Sequence, residues 1–416
     1  MTQDPATPVP FHGWQMVSVA FLVDFVAVGF LFYSFGIFYP HIDADFEGAT
    51  VWVAAGISVS NLVGGILGPT VGRLLDRLPL KRLMLIGACT VSSGFVALSQ
   101  TQAIWQYYLV LGTFFAIGLS MMGGMASAKL VANWFALKRG RALGIATMGV
   151  SLSGIVMPHV ATWLIGHFGW RGGFQIYAVG ILLIVVPLVW FFVITRPEDV
   201  GERPDGHSPD APAAPLAAAD VYWSTRDMLR APSFWAIALS FGLAMACLSS
   251  VLIHLPAYAT DLGFDGYQPA WLLSASAFAG MLGKPVFGSL VDRGDPRVAI
   301  WTSFGVQFAG VVLLMNAVSY PTLVAGGIVY GFGMGGIVPL QGAVAGRIFG
   351  RLSFGKLMGL LRPVQVPLNM IGVPLTAFIH DRTGSFALAF WIFLGVYAAG
   401  AALISFLRNP AHDASG

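Results

Sequence analysis

The sequence predicts an all-α polytopic membrane protein, with twelve transmembrane helices in two pseudo-symmetric six-helix bundles, and three observations carry that prediction. Of 416 residues, 56% are hydrophobic and only 10% are charged, where a soluble domain carries roughly 25% charged residues. Apolar runs of the ~20 residues that a helix needs to cross the hydrocarbon recur along the whole chain. The basic residues collect in alternate loops between those runs. There are too few charges to coat a soluble core, so the lipid bilayer is the expected solvent. A net charge of only +3, distributed this way, speaks against a nucleic-acid partner.

The first apolar run starts near Trp14 and continues to about Phe38. It is too long for a signal-peptide core and no Lys or Arg precedes it, so it reads as a retained first helix. Further runs lie at about 51–75, 82–100, 104–130, 142–166 and 172–194. Six more follow at about 232–260, 269–291, 297–318, 321–346, 357–380 and 385–407. Between the two sets, about 195–231, the chain includes PEDVGERPDGHSPDAPAAP, whose Pro, Ala and Asp content cannot bury a core. That stretch reads as a cytoplasmic linker, a plain tether with a regulatory role as the alternative, joining an N-terminal bundle (1–194) to a C-terminal one (232–416).

Orientation follows from the basic residues. One set of loops holds Arg73, Arg77, Lys81 and Arg82; Lys129, Lys138, Arg139 and Arg141; Arg196, Arg203, Arg226 and Arg230; Arg293 and Arg297; Arg347, Arg351 and Lys356; and Arg408. The opposite loops hold Arg171 and Arg382 with Asp43, Asp45, Glu47, Asp261 and Asp265. The positive-inside rule puts both termini in the cytoplasm, and a bacterial-type inner membrane is the expected location. Cys89 and Cys247 lie within apolar runs and read as small buried hydrophobes. No HExxH, CxxC, GxSxG or Walker pattern occurs, so no enzyme chemistry, metal or cofactor is expected.

The two halves echo each other. GRLLDRLPLKR (Gly72 to Arg82) after the second run is matched by GSLVDRGDPR (Gly288 to Arg297) after the eighth, and WFALKRGRALG (Trp134 to Gly144) by IFGRLSFGKLMG (Ile348 to Gly359). Matched motifs at matched loops imply duplication. With twelve runs in two halves and Gly-x-x-x-Asp-Arg appearing twice, the chain resembles the major facilitator superfamily. Within it, HGW (His12 to Trp14), WFALKRGRALGIA (Trp134 to Ala146), FGWRGGF (Phe168 to Phe174), KPVFG (Lys284 to Gly288) and HDRTGSF (His380 to Phe386) resemble the monocarboxylate porter and oxalate-formate antiporter-like families. The resemblance implies a monomeric secondary carrier of small organic anions, a proton-coupled symporter of a monocarboxylate working by alternating access. An anion antiporter or an efflux carrier for amphipathic drugs is the alternative.

Lys284 and Arg362 are the basic residues left within apolar runs. A charge at mid-bilayer costs on the order of 2.5–3.5 kcal/mol even on the mildest scale, so such residues usually face a polar cavity. The resemblance assigns the basic residue at Lys284, an arginine in the family, to the substrate carboxylate. An ammonium lacks the planar fork that grips a carboxylate bidentately. Gly280 stands where some relatives carry an acid, and the family's lysine in the first helix falls near Phe32 or Tyr33. Arg362 is followed by Pro363, Gln365, Pro367 and Asn369, and oxalate-type relatives suggest a second anion contact there. For both cations a snorkelling or structural role is the competing reading. Asp24, the one acid inside an apolar run, is a proton-carrier candidate, with a fixed ion pair to Lys284 or Arg362 as the alternative.

His254 is a candidate for proton or substrate contact, and His159 a weaker one. Tyr33, Tyr330, Gln341, Gln365 and Asn369 are cavity candidates, although such side chains more often satisfy neighbouring backbone. Asp76, Arg77, Asp292 and Arg293 resemble the superfamily's gating motif. The glycine clusters, including the MGGM run within Met121 to Met125 and the stretch Gly331 to Gly336, read as close-packing surfaces.

Overall fold

The computed structural model describes residues 11–46, 50–206 and 222–407. Glu47, Arg408 and the middle of the linker lie outside the described residues. Nine helices among them are long and apolar enough to cross a membrane. The longest, Arg139–Phe192, is two helices, because Gly169 takes φ 65° and ψ 174°. That left-handed φ suits glycine, and the chain folds back there. A methyl placed on Gly173 would lie only 3.7 Å from Leu164 Cβ, far less than the roughly 13 Å nine residues span in a continuous helix.

With that division the rods are α1 (Gly13–Asp45), α2 (Thr50–Arg77), α3 (Leu80–Ser99), α4 (Ile104–Trp134), α5 (139–168) and α6 (170–192). Then come α7 (Pro232–Asp261), α8 (Gln268–Arg293), α9 (Pro296–Met315), α10 (Tyr320–Phe349), α11 (Phe354–Thr383) and α12 (Ala387–Ile404). Two of the twelve, α8 and α11, fall outside the nine strongly apolar helices. They carry Lys284 with Pro285, and Arg362 with Pro363, Pro367 and Pro374. Polar residues and prolines in a spanning helix are tolerated where it lines protein or a cavity rather than lipid.

Buried apolar side chains form two cores, one running from Met16 to Val193 and the other from Met228 to Leu407 with Ala132 joining it. Each half therefore buries its own oil, and the halves meet along two seams, α2 against α11 and α5 against α8. Both seams close on glycine. A methyl on Gly72 would sit 2.2 Å from the Gly355 carbonyl oxygen, and one on Gly359 2.2 Å from that of Gly68. On the other seam, a methyl on Gly140 would lie 2.3 Å from the Gly288 carbonyl, and one on Gly144 2.5 Å from that of Lys284. Small residues let backbones approach this closely in a membrane bundle.

The linker departs from the plain tether expected. Its described parts are strapped to the end of the bundle where the basic residues collect. The Asp205 carboxylate accepts from the N–H groups of Ala136 (2.9 Å), Leu137 (2.7 Å) and Lys138 (3.0 Å). Glu202 holds His12 at the start of α1, and Glu198 pairs with Arg351 at 2.6 Å. On the far side of the undescribed stretch, Trp223 N–H donates to Ser353 Oγ (2.9 Å) and Lys356 Nζ donates to the Trp223 carbonyl (2.7 Å). Hydrogen bonding to Lys356, helped by Arg77, holds the Tyr222 phenol below its usual pKa.

Candidate functional site

The repeated Gly-x-x-x-Asp-Arg motif ends α2 and α8, and each aspartate crosses to the other half. Asp76 accepts from Gly355 N–H (2.9 Å) and Lys356 N–H (2.7 Å) in the first turn of α11. Asp292 accepts from Gly140 N–H (2.7 Å) and Arg141 N–H (2.8 Å) in the first turn of α5. The opening N–H groups of a helix have no partner within it and carry partial positive charge, so a carboxylate caps them well. The arginines of the motif are not in the seams: Arg77 and Arg293 are exposed.

Three basic residues expected to sit in loops are instead buried at this end. Lys129, inside α4, pairs with Asp76 at 2.7 Å, with only 6% and 1% of the two side chains exposed, and also donates to the Arg351 carbonyl. Arg139 donates to the carbonyls of Phe135 and Ala132, and Lys356 is buried beneath the linker. They are interior because the carbonyls and carboxylates of the closed seams satisfy them. The signal in the sequence was the apolar setting of Lys129 within MASAKLVANW.

Asp24, Lys284 and Arg362 lie deeper, at one level. From the basic end, Asp24 is eleven residues into α1, Lys284 nine into α8 and Arg362 eight into α11, or about 12–17 Å. The Asp24 Oδ1 accepts from Gly124 N–H at 2.8 Å. Gly123 and Gly124 interrupt α4, and Gly124 takes φ 50° and ψ −91°. The MGGM run thus breaks a helix rather than only packing one, and Asp24 satisfies the N–H freed at the break. Gly124 is exposed although its neighbours are buried. Ser127 lies beside the same carboxylate but makes no hydrogen bond of normal geometry.

Lys284 Nζ donates to the Thr147 carbonyl and to Ser151 Oγ, each at 2.7 Å, both on α5 of the other half. It and Asp24 attract one another without forming an ion pair. Arg362 is only partly buried and its guanidinium has neither a hydrogen bond nor an ion pair to any described residue. Its Nη2 lies 4.0 Å from where a methyl on Gly124 would be, so the open cation faces the break in α4. Asn369, on the same face of α11, is also partly buried. Gln365 Oε1 accepts from Gln341 Nε2 at 3.1 Å, while Gln365 Nε2 is buried without a partner. Tyr33 is 40% exposed, with its ring over Gly154.

Two expected cavity residues are elsewhere. Tyr330 is fully buried in the second core, its hydroxyl 2.9 Å from that of Tyr397, because packing against Gly310 fills that space. His254 bonds the Ser250 carbonyl of its own helix at 2.9 Å and lies against Phe386. Being 22 residues into α7, it is about 33 Å from the basic end, well removed from the three charges. His159 is exposed and likewise bonds its own helix.

At the opposite end, two ion pairs each join helices of one half. Asp45 of α1 pairs with Arg171 and accepts from Trp170 Nε1 (3.0 Å), and Asp261 of α7 pairs with His380 of α11 at 2.8 Å. The arrangement among the described residues is a bundle stitched shut across its halves at the basic end, with an unpaired cation above the stitches.

A family model described as Major Facilitator Superfamily matches residues 17–315 and 259–416. The chain is 26% identical to monocarboxylate transporter 13 of Bos taurus over 394 residues, covering 94% of this chain and 88% of that one. It is 26% identical to monocarboxylate transporter 2 of Mesocricetus auratus, covering 91% and 81%. Among solved structures, the human organic anion transporter MFSD10 (TETRAN) aligns with a TM-score of 0.71 at 16% identity, covering 94% of this chain and 99% of that one. FucP in the outward conformation aligns with a TM-score of 0.69 at 15% identity, covering 94% and 98%. With a family model spanning nearly all of its helices and relatives that are transporters along their length, the protein belongs to the Major Facilitator Superfamily of membrane transporters.

Proposed function

We propose that this transporter carries small organic anions, monocarboxylates foremost, by alternating access in symport with protons. The observation that carries the reading is Arg362. A guanidinium in a spanning helix with no partner among the described residues is costly unless something anionic or water meets it, and its planar fork suits a carboxylate. Two cations against one acid give the site a positive charge before substrate arrives. The same charge disfavours cationic drugs as cargo. The monocarboxylate transporters named above support the class of substrate.

Asp24 is the proton-carrier in this reading. Its single hydrogen-bonded oxygen holds the broken end of α4, and it sits in the electrostatic reach of Lys284. Gln365 and Asn369 extend the site along α11 from Arg362, and Tyr33 contributes an aromatic wall. The basic end faces the cytoplasm of a bacterial-type inner membrane by the positive-inside rule, and the monomer holds the whole site. Uptake of labelled lactate and pyruvate into proteoliposomes under an imposed pH gradient tests the proposal. Accumulation that follows the gradient is expected, and an absence of acid-dependent proton movement across a broad carboxylate panel would overturn it.

A further inference from the structure

We propose that Lys284 is a conformational latch between the halves, and that binding of the substrate carboxylate belongs to Arg362. The inference rests on the reading of the chain as an alternating-access carrier. Three observations support it. First, Lys284 is a residue of α8 whose ammonium is committed to α5: two of its three N–H donors reach Thr147 O and Ser151 Oγ at 2.7 Å. Second, the contact sits on the seam itself, where a methyl on Gly144 would strike the Lys284 carbonyl at 2.5 Å. The halves cannot part there without breaking both bonds.

Third, the internal repeat supplies a control. Aligning Gly72 and Asp76 of α2 with Gly288 and Asp292 of α8 places Gly68 opposite Lys284. Aligning the capped first turns of α11 and α5 places Arg362 opposite Thr147. At this node of the α2–α11 seam, Gly68 packs on Arg362, a methyl there lying 3.0 Å from Arg362 Cβ, and no polar bond crosses. At the same node of the α5–α8 seam, Lys284 bonds Thr147. One seam therefore carries an added cross-half bolt, and the other leaves its cation open.

When the basic end opens, Lys284 must release both α5 acceptors. It is a positioning residue that sets how readily the cycle leaves the closed state. Val291 provides a reporter, since it is 3% exposed and its Cγ1 would lie 2.3 Å from a methyl on Gly140 across the seam. Val291→Cys is made in a Cys89→Ser background, because Cys89 is exposed and Cys247 buried, and its maleimide labelling rate is followed in purified protein without substrate. Removing charged hydrogen bonds by Lys284→Met is expected to speed labelling about tenfold or more, and Ser151→Ala by a smaller factor in the same direction. Ser151→Asp, which pairs the lysine across the seam, is expected to slow it. That opposite response is one a general loss of folding does not give. Labelling at the parental rate in both Ser151→Ala and Ser151→Asp would overturn the latch. Since no substrate is present, failure here is separate from failure of the transport reading.

Discussion

The α2–α11 and α5–α8 seams are built on one plan, and their differences show what each contributes. Both pack glycine on backbone, and both end in an aspartate that caps the opposing helix at its second and third residues. Asp76 also has a buried lysine, Lys129. Among the described residues Asp292 has no such lysine and relies on the two N–H groups, with the Arg139 charge nearby. Deeper in, the asymmetry reverses: the α5–α8 seam is bolted by Lys284, while Arg362 on the other seam stays open. Duplication supplies a common frame, and charges placed at unmatched positions divide closing from binding.

The largest expected effect distinguishes the two aspartates. Lys129→Met leaves the Asp76 carboxylate buried without its counter-ion, and breaking a buried pair costs about 3–5 kcal/mol. Asp292→Asn keeps an acceptor for only one of the two N–H groups and sets an amide NH2 against the other, but strands no buried charge, so it is expected to cost less, about 1–3 kcal/mol. Thermal unfolding of the two variants checks the order, and equal losses would remove the distinction. Gly359→Ala comes next. Its methyl meets backbone that cannot swing aside, so a penalty of about 1–3 kcal/mol is expected on the closed state, read as faster thiol labelling at Val291→Cys.

Smaller effects test the strap. Asp205→Ala removes the cap over residues 136–138 and is expected to cost about 1 kcal/mol, the usual value of a helix cap. Glu198→Gln breaks an ion pair whose glutamate is 44% exposed, so a change under about 1 kcal/mol, fading with salt, is expected. A larger loss in Glu198→Gln than in Asp205→Ala would show that the strap acts chiefly between the halves.

Most of the fold was legible in the sequence because apolar run length, loop charge and the repeated Asp-Arg motif are local signals. Asp24, Lys284 and Arg362 stood out because ionisable residues are rare in apolar runs, and the structure puts them at one level. Local pattern was silent on partners. Arg139 and Lys356 read as loop charges because nothing in their flanks shows that a seam will close over them, and the apolar flanks of Lys129 signal burial without naming its partner, Asp76. The break at Gly123 and Gly124 looked like a packing motif, since its meaning depends on Asp24, 100 residues earlier. Tyr330 and His254 depend on which face of a helix turns inward, and their helices are apolar all round. The linker's composition read as a plain tether, since nothing local shows that Asp205 accepts from the N–H groups of residues 136–138.

The central claim is that Arg362 binds the anion while Lys284 holds the halves. Thermal-shift titration of Arg362→Gln and Lys284→Met with a panel of lactate, pyruvate and substituted carboxylates tests it most directly. Stabilisation by an acid that the parent protein binds is expected to vanish in Arg362→Gln and to persist in Lys284→Met. Loss in Lys284→Met with retention in Arg362→Gln would contradict the account.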